Sequence, residues 1–339
     1  MSRRTVIAAA IAAASLVFGA SFAAASSTGG GSLKGAGSTF VFPLVSQWQA
    51  NYKNAQITYG SVGSGAGIAA ITGRTVDFGA SDAPLTKDQA SACKGCQEIP
   101  WALSSTSIPY HVPGVAYGLK LTGKILANIY LGHITKWNAS AIKKINPGVS
   151  LPDLKITPVY RSDGSGTSWN FTDYLSRVSP EWKSKVGVGT QPNFPTGIGG
   201  KGSSGLAGVV SRTDGAIGYV DEAYSLKNGF KVAKIQNRAG KFQLPGLRGI
   251  KAAAATITRV PKSGELSIVN PPKTQKLAYP ICTFTYVIVP LKSNKAGTLK
   301  QFISWAITGG QKYAAPLQFY PLPKLVVTAD RAFVRKIHS

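Results

Sequence analysis

The stretch Arg161-Ser162-Asp163-Gly164-Ser165-Gly166-Thr167 constrains this chain more than any other. Seven residues hold one guanidinium, one carboxylate, three hydroxyls and two glycines. An aromatic-rich run with helical spacing follows: Trp169, Phe171, Tyr174 and Leu175. A small, hydroxylated turn that opens a helix suits an anion. Glycine lets the backbone approach a ligand, and the first helical N–H groups have no intrahelical partner. Arg161 adds a planar fork of donors. Taken alone, the heptapeptide reads equally well as an Asp/Gly turn in which Ser165 or Thr167 is an ordinary N-cap.

Two further segments repeat the pattern. Gly35-Ala36-Gly37-Ser38-Thr39-Phe40 leads into Leu44, Val45, Trp48 and Tyr52, which lie at helical spacing. Strand-like 58–62 runs into Gly63-Ser64-Gly65-Ala66-Gly67, ahead of Ile68 and Ile71. One Gly-Ser turn only connects elements. Three of them predict helix N-termini converging on one anion. Strand-like runs at 57–59, 115–119, 156–160, 217–220 and 284–289 alternate with helical runs at 44–52, 125–131, 169–178, 206–211 and 299–308. Such alternation predicts α/β layers with largely parallel sheets. The segment 231–276 reads as loop-rich and basic. Gly197-Ile198-Gly199-Gly200-Lys201-Gly202 fails as a P-loop, because Gly202 stands where Ser or Thr would follow the lysine.

Composition bounds the remaining possibilities. At 339 residues the chain can hold two domains. Arg3, Arg4, the apolar run 6–18 and Ala23-Ala24-Ala25 read as a cleavable export signal. The net charge is +25, and the cations are scattered without a polybasic run or a nucleic-acid motif. The charge therefore reads as a positive field that speeds anion capture. Cys93 and Cys96 read as a local disulfide in an exported protein, and Cys282 as a small buried hydrophobe. Three dispersed histidines give no metal-ligand spacing.

Gly35-Ala36-Gly37-Ser38-Thr39-Phe40, Val76-Asp77-Phe78-Gly79-Ala80-Ser81-Asp82-Ala83-Pro84-Leu85 and Arg161-Ser162-Asp163-Gly164-Ser165-Gly166-Thr167-Ser168 resemble the PstS family, the phosphate-binding proteins of bacterial ABC phosphate importers. Ile129-Tyr130-Leu131-Gly132-His133-Ile134-Thr135-Lys136-Trp137-Asn138, Gly199-Gly200-Lys201-Gly202 and Gly215-Ala216-Ile217-Gly218-Tyr219-Val220 are also similar to that family. The chain departs from the common pattern at Cys93-Lys94-Gly95-Cys96, around 230–275, and in its charge.

The resemblance implies a two-domain periplasmic-binding-protein fold of type II, with mixed sheets flanked by helices and the ligand in the interdomain cleft. After a signal at 1–25, domain I would span 33–104 and 281–339, and domain II 105–280, with crossings near 102–107 and 279–283. It implies a phosphate shell of Thr39, Phe40, Ser64, Asp82, Arg161, Ser165, Gly166 and Thr167, with Asp163 bracing Arg161. Phe40 and Gly166 would act through backbone N–H groups. Asp77 would be structural. The implied partners are inorganic phosphate and membrane permease subunits. The protein would be a periplasmic monomer cleaved near Ala25, with no cofactor, no metal, no catalysis and no nucleic acid.

Asp82 carries the selectivity argument. An ionised carboxylate only accepts hydrogen bonds, so it pairs only with an oxyanion that bears a proton. Phosphate at neutral pH has one and sulfate has none. Facing acceptors would cost sulfate a few kcal/mol, about 100-fold in affinity. A phosphatase-like hydrolase is the competing reading, and it would need a nucleophile with a base, or metal ligands. A binding protein for another oxyanion, such as sulfate, is the third.

Overall fold

The computed structural model describes residues 31–339. The export-signal reading at 1–25 lies outside those residues. Three sheets organise the chain. In the first, Ser32–Gly37 pairs in parallel with Gln56–Ser61 on one side and Phe78–Ser81 on the other. Helices Phe42–Asn51 and Ser64–Thr72 make the connections. Cys282–Pro290 then inserts antiparallel between Phe78–Ser81 and the long strand Cys96–Ser107, and Val220–Asp221 closes the far edge. Every residue of Cys282–Pro290 is buried, which explains its continuous apolar reading.

The second sheet runs Lys231–Val232, Pro109–His111, Ala216–Ile217, Thr157–Arg161, Ile198–Gly200. Thr157–Arg161 is parallel to both neighbours. Helices Gly166–Val178 and Gly202–Arg212 follow Thr157–Arg161 and Ile198–Gly200. A small third sheet joins Lys120–Leu121, Lys234–Gln236 and Phe242–Gln243. Among the described residues, no helix is long and apolar enough to cross a membrane.

Three sequence expectations are corrected. Residues 115–119 form turns, not a strand, because Gly114 (φ +74°) and Gly118 (φ +87°) both turn the backbone away from extended geometry. The run 217–220 is split: Ala216–Ile217 lies in the second sheet and Val220–Asp221 in the first. Segment 102–107, near which a crossing is expected, is the far half of the strand Cys96–Ser107, and the chain leaves the first sheet at Ile108. The sheets are also less parallel than simple alternation suggests, since the long central pair is antiparallel. Within 231–276 the main regular element is the helix Leu247–Ala254. Cys93 and Cys96 are joined by a disulfide and Cys282 is buried and free.

Aromatic packing forms two groups. Trp48 meets Trp101 at 5.0 Å between centroids, and Phe78, Tyr52 and Phe302 extend that group under the first sheet. Phe171 stacks on Tyr219 at 4.3 Å, with Tyr130 and Phe194 around them, in the second. Each ring buries a large apolar surface and pairs edge or offset.

Gly37 ends the strand Ser32–Gly37 at φ +147°, and a Cβ there would sit 2.1 Å from the Ala80 carbonyl oxygen. That oxygen already accepts the Ser38 N–H at 2.9 Å. Gly37→Ala is therefore expected to cost about 3 kcal/mol or more. Gly60→Ala, where the nearest atom would lie 3.7 Å away, should be mild. Denaturant melts of both variants check this; equal losses would contradict the backbone-contact argument.

Candidate anion-binding site

Helix starts converge where the two larger sheets meet. Ser64 opens its helix behind Gly63, and Gly166 opens the next behind Ser165, whose hydroxyl accepts the Ser168 N–H at 3.1 Å. At the first turn the helix begins only at Phe42, and it is Ser38 that takes the Phe40 and Val41 N–H groups, at 3.0 and 3.3 Å. A fourth helix, Gly202–Arg212, points its first amides inward. Gly202 N–H donates to Asp163 at 2.9 Å, and Ser203 N–H to the Thr39 hydroxyl at 3.2 Å.

Asp82 lies at the centre and is 1% exposed. The Ser38 hydroxyl donates to its Oδ1 at 2.5 Å and the Ser64 hydroxyl approaches Oδ2 at 3.4 Å. Burial raises its carboxyl from 3.8 to about 7; Ser38, the charge of Arg161 and Ser64 pull it back. Arg161 is 4% exposed and fixed on both sides. Its Nε and Nη2 form a fork onto Asp163, at 2.7 and 2.5 Å, and the Tyr219 hydroxyl accepts its backbone N–H at 3.0 Å. Burial raises the Asp163 carboxyl, but Arg161 and the Gly202 N–H outweigh it and hold it below the usual range.

The structure brings the nine sequence-derived residues together. A Cβ on Gly166 would lie 2.6 Å from the Asp82 nitrogen and 2.7 Å from Ser64 Oγ. Gly65 N–H donates to the Gly164 carbonyl at 2.9 Å, tying the second turn to the third. Thr39 faces Ser203, hydroxyl to hydroxyl, at 2.8 Å. Thr167 Oγ1 is buried and makes no hydrogen bond. Phe40 differs in detail. Its N–H is spent on Ser38, and its ring packs edge-on to Phe319 at 6.1 Å. Asp77 stands apart from the site, accepting the Lys34 N–H at 2.7 Å and pairing with Lys295 at 2.9 Å. A cavity of about 570 Å³ reaches the cluster at Thr39 and Asp163, with Gln191 and Lys201 at its rim.

Four contributors escaped the sequence reading: Ser38, Ser203, Tyr219 and Asp221. Ser38 was visible as a hydroxyl in the first turn, but its acceptor lies 44 residues away. Tyr219 holds both Arg161 and, at 2.7 Å, the Ser168 hydroxyl. Asp221 caps the helix Glu222–Lys227 through Oδ1, and its Oδ2 is buried without a partner. Burial holds its carboxyl well above the usual range, the Tyr224 N–H opposes this, and the charge of Asp82 adds to it. No group of three or more His, Cys, Asp or Glu among the described residues could hold a metal. The arrangement offers hydroxyls, helix-start amides and one guanidinium to an oxyanion, with one carboxyl able to accept a proton from it.

A family model described as a PBP superfamily domain matches residues 23–309. The phosphate-binding protein PstS of Xylella fastidiosa (strain Temecula1) is 41% identical over 308 residues, which cover 89% of this chain and 84% of that one. PstS of Pasteurella multocida (strain Pm70) is 37% identical, covering 89% of each. In structure, the periplasmic phosphate-binding protein PfluDING bound with phosphate matches with a TM-score of 0.72 at 22% identity, over 90% of this chain and 93% of that one. The phosphate-binding protein of Stenotrophomonas maltophilia gives 0.71 at 21%, over 89% and 93%. At those identities the two structures show the fold.

The raised Asp82 carboxyl makes stability depend on pH. Its folded value lies above the unfolded one, so its contribution is full below about pH 4 and is lost as pH rises to about 7. Without added anion, Asp82→Asn is expected to gain on wild type by a few kcal/mol between those limits and then hold a constant lead. Thermal melts across that range check this. A difference that does not change with pH would contradict burial of an ionisable carboxyl.

Proposed function

The chain belongs to the PstS family of phosphate-binding proteins, and on that premise we propose that it captures inorganic phosphate around Asp82 and Arg161 and delivers it to the permease of an ABC phosphate importer. One observation carries the reading: a carboxyl buried among donors meant for an anion. Such a group, when ionised, is satisfied by a ligand that brings a protonated oxygen to it. Thr39, Ser64, Ser165 and Thr167 would donate through hydroxyls, Phe40 and Gly166 through N–H groups, and Arg161 through the nitrogen not used on Asp163. To serve phosphate, the Phe40 N–H exchanges Ser38 for a ligand oxygen. The relatives are named as binding proteins, and the activity is capture and hand-over rather than turnover.

The division into 33–104 with 281–339, and 105–280, is part of the proposal. It is supported by the sheets, since the first is built from the former segments except for Val220–Asp221 and the last three residues of Cys96–Ser107. Phosphate would then lie between Thr39, Phe40, Ser64 and Asp82 on one side and Arg161, Ser165, Gly166 and Thr167 on the other. The protein acts in the periplasm as a monomer, after cleavage near Ala25.

Isothermal titration of the mature protein tests the reading. Phosphate should bind at one site with micromolar or tighter affinity, roughly −8 kcal/mol, and sulfate at least about 100-fold more weakly. Asp82→Asn should narrow that gap, because an amide can donate where a carboxylate cannot. Equal heats for both anions with wild type would remove the selectivity argument. Small-angle scattering tests the division: saturating phosphate should lower the radius of gyration of ligand-stripped protein. Identical curves would favour a rigid, preformed pocket.

A further inference from the structure

Helices Ala296–Ala306 and Lys324–Arg335 pack side by side, remote in sequence from the residues around Asp82. Between them runs a groove of about 320 Å³, lined by Lys300, Ser304, Thr308, Arg331, Val334 and Arg335. Three of these six residues are cations and none is an acid. Lys300, Ser304 and Thr308 follow one another at intervals of four residues, so they share one edge of the groove. Arg331 and Arg335, also four apart, present two guanidinium groups from the facing helix. Buried Val334 lies between them. None of the three cations takes part in any ion pair found among the described residues.

Like charges one helical turn apart repel each other and weaken the helix. The nearest acid in sequence, Asp330, gives no relief. It is fully buried, neither of its oxygens has a partner, and burial raises its carboxyl to about 9, so it is neutral at physiological pH. The groove therefore concentrates positive charge that the protein itself does not compensate. Two planar forks, an ammonium and the Ser304 hydroxyl match the oxygens of phosphoryl groups better than those of a lone carboxylate; the Thr308 hydroxyl already donates to the Ser304 carbonyl at 2.6 Å.

We propose that this groove is a second anion site, separate from the one around Asp82, and that it takes a multiply charged phosphoryl group. The same chemistry comes from a free condensed phosphate or from an anionic phospholipid headgroup. The strong positive charge of the chain raises the local concentration of either.

The test uses mature protein already saturated with inorganic phosphate, so that the site around Asp82 is filled. Tripolyphosphate is titrated at low salt, and phosphatidylglycerol vesicles are offered in a parallel sedimentation assay. One-to-one tripolyphosphate binding, or vesicle binding, is expected for wild type. The triple variant Lys300→Gln/Arg331→Gln/Arg335→Gln should lose it by at least about tenfold. Its affinity for inorganic phosphate should be unchanged, which also shows that it folds. A control, Lys262→Gln/Lys273→Gln/Lys276→Gln, removes the same charge from exposed positions elsewhere and should bind like wild type. Tripolyphosphate alone points to a free anion; vesicles alone point to a lipid surface. The proposal is overturned if wild type binds neither, if the triple variant binds as well as wild type, or if the control loses as much. That last result would mean diffuse attraction to a basic surface.

Discussion

Desolvation of the Asp82 carboxyl is the constraint on which the site depends. A carboxylate in a dry interior is expensive unless hydrogen bonds and opposite charge offset the loss of water. Here Ser38, Ser64 and the Arg161 charge offset part of it, and burial still prevails. The remaining cost gives the site its chemistry, because a group held near neutrality in its titration responds to whether an incoming anion carries a proton. A more exposed aspartate would be cheaper and would discriminate less, since water could stand between it and a sulfate oxygen.

Keeping that carboxyl dry requires backbones to come closer than side chains normally allow. Gly166 meets Asp82 and Ser64 at a spot where any Cβ would collide, and Gly67 stacks on Gly37 in the same way, at 2.4 Å from a built Cβ. These contacts bring helix-start amides to the site while leaving no room for solvent. Supporting groups then remove rotational freedom. Asp163 takes two Arg161 nitrogens, Tyr219 takes its amide, and Ser203 takes Thr39. The aromatic stack of Tyr219 on Phe171 anchors the Arg161 support to the core beneath its helix. The Arg161–Asp163 pair is two residues apart and buried, so its value lies in geometry more than in net stability.

Acids are scarce in this chain, 13 against 38 basic residues, and the structure spends them selectively. Asp82 and Asp163 stand in the proposed anion site, and Asp221 is buried beside it. Among the described residues most cations have no acidic partner, so the surface field is positive almost by default. Within that field the groove between the last two long helices is distinguished by shape and by facing rows, not by charge alone.

Alternation of apolar runs with glycine-hydroxyl turns determined the α/β class and placed Thr39, Ser64, Arg161 and Thr167 at turns fit for an anion, whereas Asp82 was picked out only by the resemblance of its motif to the PstS family. The turns are local properties, since a helix start needs only its own neighbours to present N–H groups and hydroxyls. The reading failed where geometry is long-range. That 102–105 belongs to a long strand was not legible locally, because its pairing partner is 282–285. The run 217–220 was apolar throughout, so its division between two sheets was invisible until Pro109–His111 and Cys96–Ser107 claimed opposite ends. Ser38, Ser203 and Tyr219 escaped notice because hydroxyls are common and their roles arise only from what folding sets opposite them, at separations of 44, 164 and 58 residues. The sequence thus determined which groups could meet an anion, and tertiary structure decided how dry, how close and how rigidly held they are. Burial and orientation belong to pairs of distant segments, and no single segment encodes them.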